Sequence, residues 1–359
     1  MSDPNSPLDV TGFQSAGSPI DFALPPELEA HQPAELRGLR RDQVRLMVLP
    51  RFDGDPIHTR FDAFPAFVHA GDLLVVNNSR TLPALLQATD EGGRPVEVRL
   101  ASRRAEDVWD VLLLDGRAHI GHSDMRLCFG EGLTALILDR SPDLPFLWQM
   151  QFDRCCMQLL DLIYRLGEPI RYSYLDHSLP LDLYQTVYAS EPGSVEMPSA
   201  GRAFTWEMLI RLQRQGVGLA AVTLHTGLSS SRDDQVDAVY PIHPEAFEVT
   251  EAAAQAVYDA RARHGRVIAV GTSVVRTLET VALPDGSLLP GRGTTKLRIT
   301  QSHPLRLVDA LLTGMHEPQA SHLDLLSAFV EPERLQAAYH DAIRRGYLWH
   351  EFGDMNLLI

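Results

Sequence analysis

The stretch TWEMLIRLQRQGVGLAAVTLH, residues 205–225, predicts a helix followed by a buried strand. Thr205 is a favourable N-cap residue, and Met208 and Leu212 have the spacing of one helical face. Gly216 is typical of a helix end, and the apolar run after it is typical of a strand covered on both sides. This stretch therefore indicates one unit of an α/β fold.

The same order of elements recurs further along the chain. Thr250 begins an alanine-rich helix, RVIAVG follows as a second strand, and Thr272 or Ser273 caps the next helix. Alternating helices and strands predict an α/β domain whose mainly parallel sheet has helices on both faces. Ligands of such sheets bind beyond the carboxyl ends of the strands, where we expect His225, Gly271 and Thr272.

Residues 61–152 show a different pattern of short alternating runs such as DLLVVN, RPVEVRLAS, DVWDVLLL and LTALIL, separated by glycine turns. Regular short strands with hairpin-type turns predict a small antiparallel β-barrel inserted into the α/β domain. The α/β domain would then comprise residues 20–60 and 153–359. Residues 1–19 are rich in Ser, Pro, Asp and Gly and are expected to form a flexible tail.

Composition excludes several classes of protein. The formal charge of −15 in 359 residues argues against a surface that clamps nucleic acid everywhere, although a local basic patch is compatible with it. The three cysteines, with Cys155 and Cys156 adjacent, form no disulfide framework and are expected in the core. No signal peptide and no apolar run of about 18 residues is recognisable. We expect a monomeric cytoplasmic protein without a membrane segment.

Histidines are the candidate proton-transfer groups. His225 ends an apolar strand and would face the crevice, although a hydrogen-bonded core histidine fits the pattern equally well. His243 and His316 lie in loops beside prolines. No pair of histidines has the spacing of a metal motif such as HExxH, so we expect no metal.

Two segments are candidates for the walls of a binding cleft. The loop YQTVYASEPGSVEMPSAGRAFT, residues 184–205, is interrupted by glycine and proline and is either a site or a plain surface connection. Gly271 before the next helix would point backbone N–H groups at an anion, or form an ordinary turn. We expect this loop and the turn after Val270 to line one cleft. On the same helix, Arg276 and Glu279 have the spacing of a simple ion pair.

Several strings taken in chain order resemble the S-adenosylmethionine:tRNA ribosyltransferase-isomerase family of queuosine biosynthesis. They are FALPPEL, GDLLVVNNSRTLPALL, YQTVYA, VTLHTGL, AVGTSVVRTLE, LLTGMHEP, LLSAF and FGDMNLLI. The resemblance implies an α/β domain with an inserted β-barrel. It also implies ribosyl transfer from S-adenosylmethionine to the 7-aminomethyl-7-deazaguanine of tRNA, with isomerisation to epoxyqueuosine and release of adenine and methionine. S-adenosylmethionine would be a co-substrate, tRNA a partner, and no other cofactor is implied.

The resemblance also suggests roles for the residues in these strings. His225 would transfer protons, with His243 and His316 as supports. Thr272 and Ser273 would hold the carboxylate or ribose of the donor. The other candidate substrate-binding residues are Tyr184, Gln185, Thr186, Ser199, Arg202, Arg276, Glu279, Asn77 and Arg80.

Departures from the family pattern fall in the expected crevice. AAPTAGLHFT is EMPSAGRAFT here, so Arg202 and Ala203 replace leucine and histidine; PLPPYI is EPIRYSYL, LGTF is LSSS, and a lysine is Gln319. The scaffold strings are intact. Two alternatives follow. One is a divergent enzyme with another amine or small-molecule acceptor, in which Arg202 recognises an anion; the other is a non-catalytic relative that binds nucleotide or RNA.

Overall fold

The computed structural model describes residues 20–359 apart from residues 117, 173, 176, 232, 241, 242 and 319. The expected flexible tail, residues 1–19, therefore lies outside the described residues, and so does Gln319. The described part of the chain folds into a large mixed sheet with helices and a closed barrel.

The strands are β1 Arg45–Leu49, β2 Ile57–Arg60, β3 Leu73–Asn77, β4 Ser79–Thr81, β5 Leu85–Asp90, β6 Pro95–Arg103, β7 Val108–Asp115, β8 Ala118–His119, β9 Arg126–Cys128, β10 Thr134–Arg140, β11 Trp148–Phe152, β12 Glu191–Ser194, β13 Gly218–Leu224, β14 Glu245–Val249, β15 Val267–Val270, β16 Gly291–Thr295, β17 Ala310–Gly314 and β18 Met355–Leu358. The helices are α1 Cys156–Leu166, α2 Trp206–Arg214, α3 Asp234–Val239, α4 Glu251–Ala262, α5 Thr272–Val281, α6 Ser321–Leu326 and α7 Pro332–Arg344.

The large sheet has nine strands in the order β16-β14-β13-β3-β15-β17-β18-β1-β2. Strands β13, β3, β15 and β17 are parallel to their neighbours in this group, and β18 is parallel to β1. The other four pairings are antiparallel. The expected mainly parallel sheet is thus a mixed one in the described residues, because β18 runs back beside β17 and β14 folds back beside β13.

Strand β3 shows why this sheet is covered on both faces. Its residues are all buried, and alternate side chains enter different apolar clusters. Leu73 and Val75 pack in a cluster that includes α4, α5 and α7, whereas Leu74 and Val76 pack in a cluster that includes α2. An apolar strand between two helical layers is what the α/β prediction requires.

The inserted domain is a closed antiparallel barrel. Its sheet has the order β11-β10-β9-β5-β6-β7-β8, and β11 also pairs with β7, which closes a ring of six strands with β8 attached. Leu86, Val98, Leu112, Ile137 and Met150 are among the buried side chains that fill it. Closure removes the unpaired strand edges that an open antiparallel sheet would expose. The prediction of an α/β domain with an inserted barrel is confirmed.

The predicted start of the barrel at residue 61 is wrong. Phe61 and Phe64, in the 3₁₀ helix Phe61–Ala66, each make an edge-to-face contact with the ring of Phe204, with ring centroids 5.0 and 5.6 Å apart. Strand β3 lies in the centre of the large sheet, since the run DLLVVN suits a buried parallel strand as well as a barrel strand. The chain leaves the large sheet only after β3, and Arg80 in β4 pairs with Pro192 in β12 between the two domains.

Two of the predicted helix starts are confirmed in detail. The hydroxyl of Thr205 accepts a hydrogen bond from the Met208 N–H at 3.2 Å, and the hydroxyl of Thr250 accepts one from the Ala253 N–H at 3.1 Å. Such caps satisfy N–H groups that a helix leaves free at its first turn. None of the helices in the described residues combines the length and apolar character needed to cross a bilayer.

Candidate functional site

Asn77, the last residue of β3, joins three elements at the carboxyl ends of the central strands of the large sheet. Its buried amide oxygen accepts hydrogen bonds from the N–H groups of Leu224 and Ser79, both at 3.0 Å. Its amide nitrogen donates to the Leu224 carbonyl at 2.8 Å and to the Ser273 hydroxyl at 3.4 Å. The Asn77 amide is thus used within the protein, where it positions β3, β13 and α5, and its contact with substrate stays a prediction.

His225 follows β13 at this edge and is held by a short hydroxyl relay. Its Nδ1 lies 2.7 Å from the Ser79 hydroxyl, which lies 2.6 Å from the Ser194 hydroxyl. Burial lowers the pKa of His225, and the positive charge of Arg103 lowers it further, so the imidazole is neutral at pH 7. In the described residues its Nε2 has no hydrogen-bond partner, which leaves that atom free to accept a proton.

Glycine at position 193 allows this arrangement. A Cβ added to Gly193 would lie 2.4 Å from Nδ1 and 2.5 Å from Cε1 of His225. The backbone of β12 therefore lies directly against the imidazole, and no larger residue fits without moving the ring.

The loop of residues 184–205 and the turn after β15 lie together, as expected. Gly271 has a φ of +94°, and a Cβ added there would lie 3.4 Å from the Ala200 side chain. The short helix Ser199–Gly201 packs against β17. A Cβ at Gly201 would lie 1.9 Å from the Tyr188 hydroxyl, so only glycine fits there. The loop is thus a fixed wall beside the first turn of α5, and Ser199 begins the short helix that contributes Ala200 to this contact.

The start of this loop is tied to the chain itself. The Gln185 amide nitrogen donates to the Thr81 carbonyl at 2.8 Å, and its amide oxygen accepts from the Thr81 N–H at 3.1 Å. Tyr184 is buried, with its ring 5.4 Å from that of Phe352. Thr186 is buried too, and its hydroxyl has no partner in the described residues. The Gln185 side chain therefore fixes the backbone of Thr81, and its contact with substrate stays a prediction.

Arg202, which is predicted to bind an external anion, is bound to groups of the protein itself. Its Nε donates to the Leu183 carbonyl at 2.8 Å, and its Nη2 lies 2.8 Å from the Glu35 carboxylate. Its guanidinium lies over the ring of Phe352, and the residue is only 4% exposed. Burial lowers its pKa, partly offset by the charge of Glu35. Arg202 is an internal ion-pair partner of Glu35, and its recognition of an external anion stays a prediction. Ala203, in place of the family histidine, packs in the core.

Helix α5 carries two charged residues that do not pair with each other. Arg276 forms an ion pair with Glu245 and donates from Nε to the Leu297 carbonyl at 3.1 Å. The buried carboxylate of Glu279 accepts hydrogen bonds from the N–H groups of Arg306, Leu307 and Val308. The expected ion pair between Arg276 and Glu279 is thus wrong, because each side chain finds a partner outside the helix. Glu279 acts as an anchor for the segment before β17.

The three candidate catalytic histidines lie in different surroundings. The ring of His243 is 5.7 Å from that of Phe146, a residue of the barrel domain. His316 stacks on His322 with ring centroids 4.6 Å apart and planes within 2°. Burial lowers the pKa of the imidazoles of His243, His316 and His322. No contact among the described residues joins His225, His243 and His316, so the structure gives no support for a histidine cluster.

Sequence reasoning missed Glu196, which carries a perturbed carboxyl group in the same loop. Burial raises its pKa from an ordinary value near 4.5 to about 7, and the nearby negative charge of Glu245 acts in the same direction. Its Oε1 accepts hydrogen bonds from the N–H and the hydroxyl of Ser229 at 2.8 and 3.0 Å. Both residues lie in strings that depart from the family pattern, which is the signal that could have identified them.

Two further missed residues extend this acidic region. Burial raises the pKa of Glu351 to about 7, and its Oε2 has no partner in the described residues. Burial also raises the pKa of Tyr172 well above its ordinary value, and the negative charges of Glu196 and Glu351 add to this effect. Tyr172 comes from the departing string EPIRYSYL, so the altered segments meet at one place. A carboxyl group that titrates near pH 7 can both accept and donate a proton.

Glu196 should make stability depend on pH. A raised pKa means that the folded state binds a proton between about pH 4.5 and 7 that the unfolded state has lost, so stability falls as pH rises through this window. At pH 8 we expect Glu196→Gln to be more stable than wild type by about 2 kcal/mol in free energy of unfolding, and therefore to melt at a higher temperature. At pH 5 we expect this difference to disappear. Thermal melts across pH measure it. Glu191→Gln, which alters an exposed residue of the preceding strand β12, is the control, and an E196Q advantage independent of pH would contradict the assignment.

Comparison with known proteins places this architecture in a family. A sequence profile described as "Queuosine biosynthesis protein" matches residues 18–358. The chain belongs to the queuosine biosynthesis protein family. A relative from Moorella thermoacetica is 39% identical over 347 residues, which cover 95% of this chain and 98% of the relative. One from Desulfitobacterium hafniense is 36% identical, with 95% and 98% covered. Both are named S-adenosylmethionine:tRNA ribosyltransferase-isomerase.

A solved structure supports the membership of the queuosine biosynthesis protein family. The crystal structure of S-adenosylmethionine tRNA ribosyltransferase from Thermotoga maritima matches with a TM-score of 0.54 and 31% identity. The match covers 95% of this chain and all of that chain. Within the family scaffold, Glu196 and Tyr172 lie in strings that depart from the expected pattern, while His225 and Gly271 lie in strings that the chain retains.

Proposed function

We propose that the chain transfers the ribosyl group of S-adenosylmethionine to the 7-aminomethyl-7-deazaguanine of tRNA and isomerises it to epoxyqueuosine, releasing adenine and methionine. The observation that carries this proposal is the full-length family match, with relatives of the same length that bear this enzyme name. The retained strings supply the sheet edge at which His225 and the first turn of α5 meet the loop of residues 184–205.

His225 is the proposed proton acceptor in this reaction. The sulfonium of the donor makes the adjacent ribose C5′ proton acidic, and a neutral base must remove it. His225 has a lowered pKa, its Nδ1 is fixed by Ser79, and its Nε2 is free of partners in the described residues. The hydroxyl relay through Ser194 selects the orientation of the ring.

The first turn of α5 is the proposed binding place for the donor. The N–H groups at Thr272 and Ser273 begin a ten-residue helix whose dipole favours a carboxylate or a polarised hydroxyl. Ser199 begins the short helix whose Ala200 lies 3.4 Å from a Cβ added at Gly271, the residue directly before this turn. We propose that the methionine carboxylate or the ribose binds here, as a co-substrate. The overall transfer balances without net oxidation, so we propose no redox cofactor.

An adenine-release assay tests this function. With tRNA that carries 7-aminomethyl-7-deazaguanine and with S-adenosylmethionine, we expect release of adenine and methionine in equal amounts. His225→Asn should lower kcat by about 10²- to 10⁴-fold, the usual contribution of a general base. His264→Asn, which alters a histidine after α4, is the matched control and should leave kcat unchanged. If wild type releases no adenine above the level without enzyme, the proposed function is refuted.

A second acceptor class is favoured by one observation. Tyr172 and Glu196, from two departing strings, lie close enough together, and close enough to Glu351, for the two carboxylates to raise the pKa of Tyr172. Carboxyl groups near a buried hydroxyl suit an amine acceptor other than the tRNA base. Isotope-labelled donor incubated with a metabolite extract would show this acceptor as a labelled product by mass spectrometry. If the label appears in tRNA only, this second candidate is excluded.

The oligomeric state and the location of the protein are also proposals. We propose a monomer that acts in the cytoplasm, where its tRNA partner is modified, and the charge of −15 supports a chain that repels its own copies. Light scattering that gave the mass of two chains would contradict the monomer.

A further inference from the structure

Three potential metal ligands converge on the surface beside the barrel. The Cys156 sulfur lies 3.1 Å from the Cys155 sulfur and 2.9 Å from Oε2 of Glu106. The three ligand atoms all lie within 4.8 Å of one another. In the described part of the chain, this is the only group of three or more such side chains at that spacing. All three residues are exposed, which contradicts the expectation that the cysteines lie in the core.

Two separate chain segments bring these ligands together. Glu106 lies in the turn between β6 and β7, Cys155 lies between β11 and α1, and Cys156 is the first residue of α1. The N–H of Phe152 donates to the Asp107 carbonyl at 2.9 Å, so the two segments are joined by the backbone next to the cluster. The cluster is therefore positioned by barrel closure, and an ion there would link the β6–β7 turn to the start of α1.

The backbone at Cys156 is an independent observation. Cys156 has a φ of +57°, a conformation that residues other than glycine adopt rarely. Unusual backbone conformations are concentrated at functional sites, where a side chain must be held in one direction. Here the conformation places the Cys156 sulfur beside both of its neighbours, at the N-terminus of an eleven-residue helix.

We propose that Cys155, Cys156 and Glu106 form a binding site for a thiophilic divalent cation of the Zn²⁺ type. Two thiolates and one carboxylate are ligands that zinc takes in proteins, with bonds of about 2.3 Å to sulfur and 2.0 Å to oxygen. Tetrahedral bonds of this length place two sulfurs about 3.7 Å apart, so the exposed side chains need to open by only a few tenths of an ångström.

The chemistry of the ligands selects the ion and balances its charge. Thiolates are soft ligands that favour zinc over magnesium or calcium, which prefer oxygen alone. On binding, the two thiol protons pass to solvent, and the site holds charges of −3 from the ligands and +2 from the ion. The fourth position stays open to water, because no other described ligand joins the cluster. This proposal replaces the expectation of a protein without a metal site.

Zinc binding by the full-length reduced protein tests the proposal. Metal is first stripped with a chelator, and Zn²⁺ is then titrated in competition with a chromophoric chelator. We expect one equivalent to bind, with an affinity at least tenfold higher than that of the double variant Cys155→Ser/Cys156→Ser. Glu106→Gln should bind more weakly than wild type. Cys128→Ser removes the remaining cysteine, which lies outside the cluster, and should change nothing.

Cobalt provides a readout that does not depend on the folding of variants. Co²⁺ bound to wild type should give a thiolate-to-cobalt charge-transfer band that excess Zn²⁺ removes. The proposal is overturned if this band is absent, or if the double serine variant binds Zn²⁺ as tightly as wild type. Since neither measurement requires turnover, a failure of the proposed ribosyl transfer would leave this result unaffected.

Discussion

Gly193→Ala should reduce the turnover of S-adenosylmethionine by about 100-fold, the cost of misplacing a catalytic group by about 1 Å. The added Cβ would lie 2.4 Å from Nδ1 of His225, so the imidazole must move away from the Ser79 hydroxyl that fixes it. Losing this contact leaves the ring free to rotate and removes the preferred direction of Nε2. The measurement is kcat from adenine release under saturating substrate.

Gly291→Ala is the matched control for this prediction. Gly291 also lies in a strand of the α/β domain, but a Cβ added there meets no atom within 4 Å. It should leave kcat unchanged. Ser79→Ala, which removes the hydrogen bond without crowding the ring, should give a smaller loss than Gly193→Ala. If a folded Gly193→Ala variant retains full activity, His225 does not act from the position seen here.

Glu279→Gln should destabilise the α/β domain by about 3 kcal/mol, since hydrogen bonds to a charged group contribute about 1.5–3 kcal/mol each and do not add fully. The carboxylate accepts hydrogen bonds from three consecutive backbone N–H groups, at residues 306–308. A glutamine can accept with only one of its two terminal atoms, so buried N–H groups lose their acceptor. Urea unfolding curves, compared at a common slope, measure the difference.

Glu333→Gln tests whether this loss is specific to Glu279. Glu333 is exposed in the first turn of α7, and its substitution should change the stability by less than about 0.5 kcal/mol. Equal urea midpoints for Glu279→Gln and wild type would show that the segment before β17 is held by other contacts.

Local signals explain which parts of the fold were predictable. The caps at Thr205 and Thr250 and the hairpin turns of the barrel depend on a few neighbouring residues, and these predictions hold. Strand order depends on contacts between distant segments. The run Leu73–Asn77 was assigned to the barrel because its apolar pattern is common to both domains, and only its position between β13 and β15 reveals its place.

The candidate site was predictable to a different extent. The rule that parallel strands meet at one edge correctly brought the loop of residues 184–205 next to Gly271. The sequence predicts an external ligand for Arg202, because it does not show that the Glu35 carboxylate and the Leu183 carbonyl lie within hydrogen-bond distance of the guanidinium. The altered pKa of Glu196 arises from burial, which only the tertiary structure determines.

The place of β3 has a consequence for biosynthesis. The ribosome makes β3 before the barrel, but its two neighbours, β13 and β15, are made long after it. The barrel can close on the emerging chain as soon as β11 has been made. At that stage the apolar strand β3 has neither of its neighbouring strands, and both of its edges are unpaired. The inserted barrel is therefore complete before the α/β domain that contains it. Until β13 and β15 are made, the nascent chain exposes the apolar strand β3, which chaperones must shield.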